Sequence, residues 1–94
     1  MGSNEVARHL RVSGRVQGVF FRSSMRERAQ QRGVRGWVRN DADGTVEAWL
    51  EGSADAVAAV EQWVRDGGPP AAAVDDVDVR EDAPEHLEGF SVRR

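Results

Sequence analysis

Residues 14–22 read Gly14-Arg15-Val16-Gln17-Gly18-Val19-Phe20-Phe21-Arg22. Two glycines bracket a short turn, two phenylalanines follow, and an arginine closes the run. Upstream, Leu10 and Val12 alternate with His9, Arg11 and Ser13, the period of a half-buried strand that ends at Gly14. Downstream, Phe21, Met25 and Ala29 recur every four residues. That spacing predicts a helix over about 22–32, with Ser23 and Ser24 capping its start and Gly33 stopping it. The stretch is therefore a strand-to-helix loop, set where a helix offers unpaired amides and the positive end of its dipole. Gly14 and Gly18 let the backbone curl so that successive N–H groups converge on an anion. Arg22 adds a planar fork that matches phosphate oxygens in pairs. Phe20 and Phe21 are expected to anchor the loop in the core. An ordinary loop with a solvent-facing arginine fits the same residues, and loop chemistry alone leaves both readings open.

Working outward, Val34, Gly36 and Val38 alternate with Arg35, Trp37 and Arg39, and Val46, Ala48 and Leu50 alternate with Glu47, Trp49 and Glu51. Asp41-Ala42-Asp43-Gly44 between them is a turn, so residues 34–51 form a β-hairpin. Its inner face is aliphatic. Its outer face carries Trp37 and Trp49 as a partly exposed pair, among arginines and glutamates placed to pair across the strands. Ser53 caps a second helix whose stripe is Val57, Val60 and Val64, with Trp63 on its flank. Gly67-Gly68-Pro69-Pro70 ends that helix, Val77 and Val79 mark a fourth strand, and Phe90 and Val92 mark a short last one. The run Asp75-Asp76-Val77-Asp78 reads as a solvated strand edge. The order is β-α-β-β-α-β with an extra C-terminal strand. It predicts an α+β, ferredoxin-like sandwich: an antiparallel sheet with two helices on one face. We expect one domain over residues 1–94, with about residues 1–5 disordered. This topology serves many functions and names none.

Composition narrows the classes. The 94 residues include no cysteine, which excludes a disulfide framework, a thiolate zinc site and a cysteine nucleophile. No apolar run approaches the roughly 18 residues of a membrane span, and no signal-peptide core is visible at the N-terminus. The expectation is a soluble, cytoplasmic, monomeric protein. The net charge of −3 hides an asymmetry: residues 1–39 carry nine arginines and two acids, and residues 40–94 carry four arginines and fourteen acids. A basic first half suggests an anionic ligand. Halves that interleave in a sheet would instead neutralise one another. Ser23 and Ser24 have no base beside them, His9 reads as a surface strand residue, and His86 is assigned no role. Asp41 and Asp43 read as turn residues, not metal ligands.

The hairpin holds a second motif, Gly36-Trp37-Val38-Arg39-Asn40 followed by Gly44-Thr45-Val46 and Gly52. Together with the loop, it resembles the two signature segments of the acylphosphatase family, in the family's order and spacing. The likeness runs over nearly the whole chain, including Gly89-Phe90-Ser91-Val92. The resemblance implies a hydrolase that cleaves the carboxyl–phosphate bond of small acyl phosphates, with no cofactor, no metal and no covalent nucleophile. It implies that Arg22 binds phosphate and Asn40 orients the attacking water. Arg15, Val16, Gln17, Gly18, Val19 and Phe20 would form the backbone cradle around phosphate. Neither nucleic acid nor membrane is implied as a partner. The chemistry is self-consistent: a carboxylate, with an acid pKa of about 4, leaves without a general acid. Charge spread over the equatorial oxygens then calls mainly for positioning and electrostatics.

Two other readings carry weight. RNA-recognition modules share this topology, and Arg35-Gly36-Trp37 resembles the start of their aromatic motif. The match ends after three residues and lies on the second strand instead of the third, and the negative net charge argues against it. A non-catalytic anion-binding or regulatory domain is the other, and the short chain disfavours it.

Overall fold

The alternation around Leu10 and Val12 extends in both directions, and β1 spans Glu5–Arg15. The structure, a computed structural model, describes residues 5–94. Of the N-terminal segment expected to be disordered, Glu5 opens β1, and the residues before it lie outside the described ones. The chain continues through α1 (Phe21–Arg32), β2 (Arg35–Asn40), β3 (Val46–Ser53), α2 (Ala54–Arg65), β4 (Ala73–Asp82) and β5 (Phe90–Arg93). The five strands form one sheet in the order β4-β1-β3-β2-β5. The first four pair antiparallel, and β5 adds to the β2 edge in parallel, so the sheet is mixed.

One sheet face presents Leu10, Val12, Val38, Val46, Ala48 and Leu50, all fully buried. They pack against Phe21, Met25 and Ala29 of α1 and Val57, Val60 and Val64 of α2 in a single cluster. Both helices therefore cover the same face, because only that face buries an apolar set against their stripes. Ser53 caps α2 as expected, its Oγ accepting from the Ala56 amide at 3.2 Å. Arg8 ties α2 to β1 by donating to Glu61 at 2.7 Å.

The uncovered face is a lattice of charges. Arg39 Nε donates to Glu47 at 2.6 Å, and Arg35 reaches Glu51 at 3.3 Å, across the β2–β3 register. These pairs, with Arg8–Glu61 and Arg11–Asp41, join the basic first half to the acidic second half. Much of the sequence asymmetry is thus neutralised by strand order. His9 is half-buried here and meets the Glu47 carboxylate through Nε2. Its ring centroid lies 6.2 Å from that of Trp37 and 6.3 Å from that of Trp49. Trp37 is half-buried under the Arg93 guanidinium, 4.7 Å from its ring centroid.

Trp49 departs from the expected partly exposed pair. It is only 6% exposed, and its indole N–H donates to Glu51 at 2.8 Å. Glu51 is itself fully buried. Its carboxylate accepts the Glu85 and Leu87 amides at 3.2 and 3.3 Å. Burial alone would raise its pKa. The indole, the two amides and Arg35 outweigh burial and hold it below the ordinary value. This carboxylate tethers the connection that carries the chain from β4 to β5.

At the other end of β1, the pairing with β4 shifts between Ser13 and Gly14. Gly14 sits at φ 118°, and a Cβ there would lie 2.3 Å from the Ala73 carbonyl oxygen. Only glycine fits this bulge, which bends the strand as it enters the loop. β4, with its exposed aspartates, forms a sheet edge as expected. No helix among the described residues is long and apolar enough to cross a membrane.

Candidate active site

Val16 leaves β1 buried and starts the loop from the core. Gly18 (φ 73°) and Phe20 (φ 64°, ψ 24°) then take left-handed conformations to swing the chain into α1. Gly18 does so freely. For a bulky residue such as Phe20, the conformation costs on the order of 1–3 kcal/mol. Among the described residues, the amides of Gln17, Gly18, Val19 and Phe20 donate to no main-chain carbonyl. The expected serine cap is not formed. Phe20 is the N-cap residue of α1, and no side chain caps the helix. Ser23 Oγ instead donates back to the Phe20 carbonyl at 3.2 Å, beside the Ser24 amide at 3.0 Å. The first-turn amides and the dipole end of α1 are left open to an anion.

The expectation for the two phenylalanines holds for only one. Phe21 is 1% exposed and packs its ring 5.7 Å from Trp63. Phe20 is 78% exposed. The left-handed turn at Phe20 sends successive side chains to opposite sides of the loop.

A cleft of about 310 Å³ opens at this helix end, lined by Val16, Gly18, Phe20, Phe21, Arg22, Ser23, Asn40 and Val92. Arg22 makes no ion pair among the described residues. Its Nη1 donates to the Arg93 carbonyl oxygen at 3.3 Å, a neutral acceptor on β5. Asn40, the last residue of β2, lines the cleft, and among the described residues its Oδ1 is buried without a hydrogen-bond partner. An unpaired buried acceptor costs about 1–3 kcal/mol, so the position is held against a gradient in stability. Gln17 turns away from the cleft and donates Nε2 to the carbonyls of Asp41 and Thr45 at 2.8 and 2.9 Å. That clamp fastens the loop to the turn that follows Asn40.

The structure thus brings Val16, Gly18, Phe20, Arg22 and Asn40 together. The side chains of Arg15, Gln17 and Val19 do not line the cleft, whereas the cradle expected of these residues is one of backbone amides. Arg15 closes β1 with its side chain exposed and its backbone paired to Ala73. Val19 packs against the core. Three lining residues escaped the sequence reading: Phe21, Ser23 and Val92. Val92 alternates with exposed neighbours in β5, a signal that it faces inward, but not beside which strand. The aspartates after Asn40 serve the turn: Arg11 reaches Asp41 at 3.1 Å, and the Thr45 amide and hydroxyl donate to Asp43 at 3.0 and 2.6 Å. Those Thr45 bonds hold the Asp43 carboxyl below its ordinary pKa.

The chain that builds this cleft is similar, in sequence and in backbone, to known proteins. The family model for acylphosphatase matches residues 8–92. The acylphosphatase of Haloquadratum walsbyi is 49% identical over 94 residues, covering 100% of both chains. That of Pyrobaculum arsenaticum is 63% identical over 78 residues, 81% of each. The solved structure of an acylphosphatase from Coxiella burnetii superposes with a TM-score of 0.90 at 42% identity, covering 96% of this chain and 94% of that one. Matched end to end in sequence and in backbone, this chain belongs to the acylphosphatase family.

Proposed function

We propose that the protein hydrolyses small acyl phosphates to a carboxylate and inorganic phosphate, by in-line attack of an oriented water and without a metal. The observation that carries this reading is the pairing of two unmet needs in one cleft: the buried, partnerless Asn40 Oδ1 and the Arg22 guanidinium on a neutral carbonyl. A phosphoryl group offers Arg22 charge-assisted, paired bonds that outcompete a single carbonyl. The open amides of the loop and of the first turn of α1 complete its cradle. A water that donates one hydrogen to Asn40 Oδ1 directs its lone pair at phosphorus. As the new P–O bond forms, the bond to the acyl oxygen breaks and its electron pair leaves on the carboxylate. A neutral amide is a poor base, so the water's proton passes to a phosphate oxygen. Arg22 and the amides meet the charge that develops on the equatorial oxygens. The cysteine-free composition supports a reducing, cytoplasmic setting, and the net charge of −3 supports a small-molecule substrate over nucleic acid. We read the protein as a monomer.

Phosphate release from acetyl phosphate, with and without EDTA, tests the proposal. Turnover should be undiminished by the chelator. Alkyl phosphate monoesters should react poorly, because an alkoxide needs an acid to leave and the cleft lining holds none. Activity lost in EDTA and restored by a divalent ion would overturn the mechanism.

A further inference from the structure

We propose that the Phe20 ring is the platform for the acyl group, so that the cleft prefers flat, apolar acyl phosphates, aromatic ones above all, to small ones. The inference rests on the acyl phosphate reading and adds a substrate class to it. Phe20 is the one large hydrophobic side chain that stands exposed among the described residues, at 78%, while its neighbour Phe21 is 1% exposed. Its ring stacks on no other aromatic ring among the described residues, in contrast to Phe21 on Trp63. The ring therefore adds little to the core. Its backbone is left-handed, where glycine or asparagine would sit with less strain. Ser23 Oγ and the Ser24 amide, both on the Phe20 carbonyl, hold the residue in that conformation. A bulky ring is thus kept, against both solvent and backbone preference, on the wall of the cleft.

The cleft lining divides by chemistry. Gly18, Arg22, Ser23 and Asn40 supply polar groups, whereas Val16, Phe20 and Val92 supply apolar surface. In-line attack puts the leaving acyl oxygen opposite the water held by Asn40, so the acyl group extends away from Asn40, and Phe20 is the exposed apolar side chain of the cleft wall that can meet it there. At about 310 Å³, the cleft lies in the range of small-ligand sites, roughly 300–1,000 Å³, and has room beyond the phosphoryl group. A planar acyl group can stack on a phenyl face. A protein-docking patch needs several hundred Å² of contiguous apolar surface, which a single ring among polar neighbours does not supply.

The test compares benzoyl phosphate with acetyl phosphate. Wild type should prefer benzoyl phosphate in kcat/KM. Phe20→Asn keeps a residue that tolerates the left-handed turn but removes the ring, and the benzoyl-to-acetyl ratio should fall about tenfold, the scale of losing an apolar contact in a pocket. Phe20→Trp should restore the preference. A distorted loop would lower both substrates together and leave the ratio alone. Calorimetric affinities of benzylphosphonate and methylphosphonate give the same ratio without turnover. Ratios unchanged in Phe20→Asn by both measures would overturn the platform. A wild-type protein that hydrolysed neither substrate would overturn the acyl phosphate reading instead, with the phosphonate ratio still deciding the role of Phe20.

Discussion

Gln17 and Asp41 lie 24 positions apart in the chain, and the Gln17 side-chain amide closes that gap by donating to the Asp41 carbonyl at 2.8 Å. The same nitrogen donates to Thr45 at 2.9 Å. The bond sets the distance between the anion cradle and Asn40, because Asp41 follows Asn40 directly. Gln17→Ala should therefore cost about 1–2 kcal/mol of stability, the scale of lost hydrogen bonds with carbonyls left behind. It should also lower kcat by up to about 10², since a displacement near 1 Å is enough for that loss. Urea denaturation and steady-state kinetics report the two effects separately. A variant with wild-type kcat would show that the clamp does not position Asn40.

Arg22 holds one neutral acceptor, the Arg93 carbonyl, and is free to exchange it for phosphate. Arg22→Lys keeps the charge but loses the paired donors. It should lose most activity, and Arg22→Ala should lose on the order of 10³ or more in rate, as for arginines acting on a transferring phosphoryl group. Inorganic phosphate should inhibit the alanine variant much more weakly. Near-wild-type turnover by Arg22→Ala would make the arginine a bystander.

Asn40 separates positioning from binding. Asn40→Ala should depress kcat severely and leave phosphate inhibition nearly intact, the pattern of an interaction made in the transition state. It also removes the buried, partnerless Oδ1, so the variant should be no less stable than wild type. Asn40→Asp is nearly isosteric and a stronger base. Its carboxylate would repel a phosphate dianion a few ångströms away by several kcal/mol at an effective dielectric near 20. The variant should bind phosphate worse than Asn40→Ala and stay inactive near neutral pH. An active Asn40→Asp enzyme would favour proton abstraction over water positioning.

Acid stability should track Glu51. Its folded pKa lies below the ordinary 4.5, because the Trp49 indole, the Glu85 and Leu87 amides and Arg35 outweigh the effect of burial. Below that value the unfolded chain binds the proton more readily than the folded one. The stabilisation is therefore complete above the unfolded pKa and is lost as pH falls through the folded one. Glu51→Gln should be less stable at pH 7 by about 1–3 kcal/mol, and the gap should narrow as pH drops below 4.5. Chemical denaturation from pH 7 to pH 3 measures it. A gap independent of pH would mean that the carboxylate charge plays no part.

Much of this protein is legible in its residue order. Period two at Leu10 and Val12, and again through Val34–Leu50, marks three strands, and the Val57, Val60, Val64 stripe marks α2. Alternation reports which face a residue occupies, and that is enough to place two helices on one side of a sheet. The loop's glycines and arginine suit an anion without requiring one, and it is the resemblance of the loop and hairpin motifs to the acylphosphatase signature segments that points to a chemistry. What local pattern cannot report is the neighbour across a gap in sequence. The parallel seat of β5 beside β2 brings Val92 into the cleft and the Arg93 carbonyl to Arg22. That seat depends on how residues 83–89 are tethered to a buried Glu51. Trp49 looks solvent-facing by its period, yet it is covered because Glu51 and His9 close over it. Phe20 reads as core beside Phe21 and faces out, because the turn from β1 into α1 requires a left-handed residue there and reverses the side on which its ring emerges. Asn40 Oδ1, too, is buried without a partner among the described residues, a condition that the order of residues along β2 does not report.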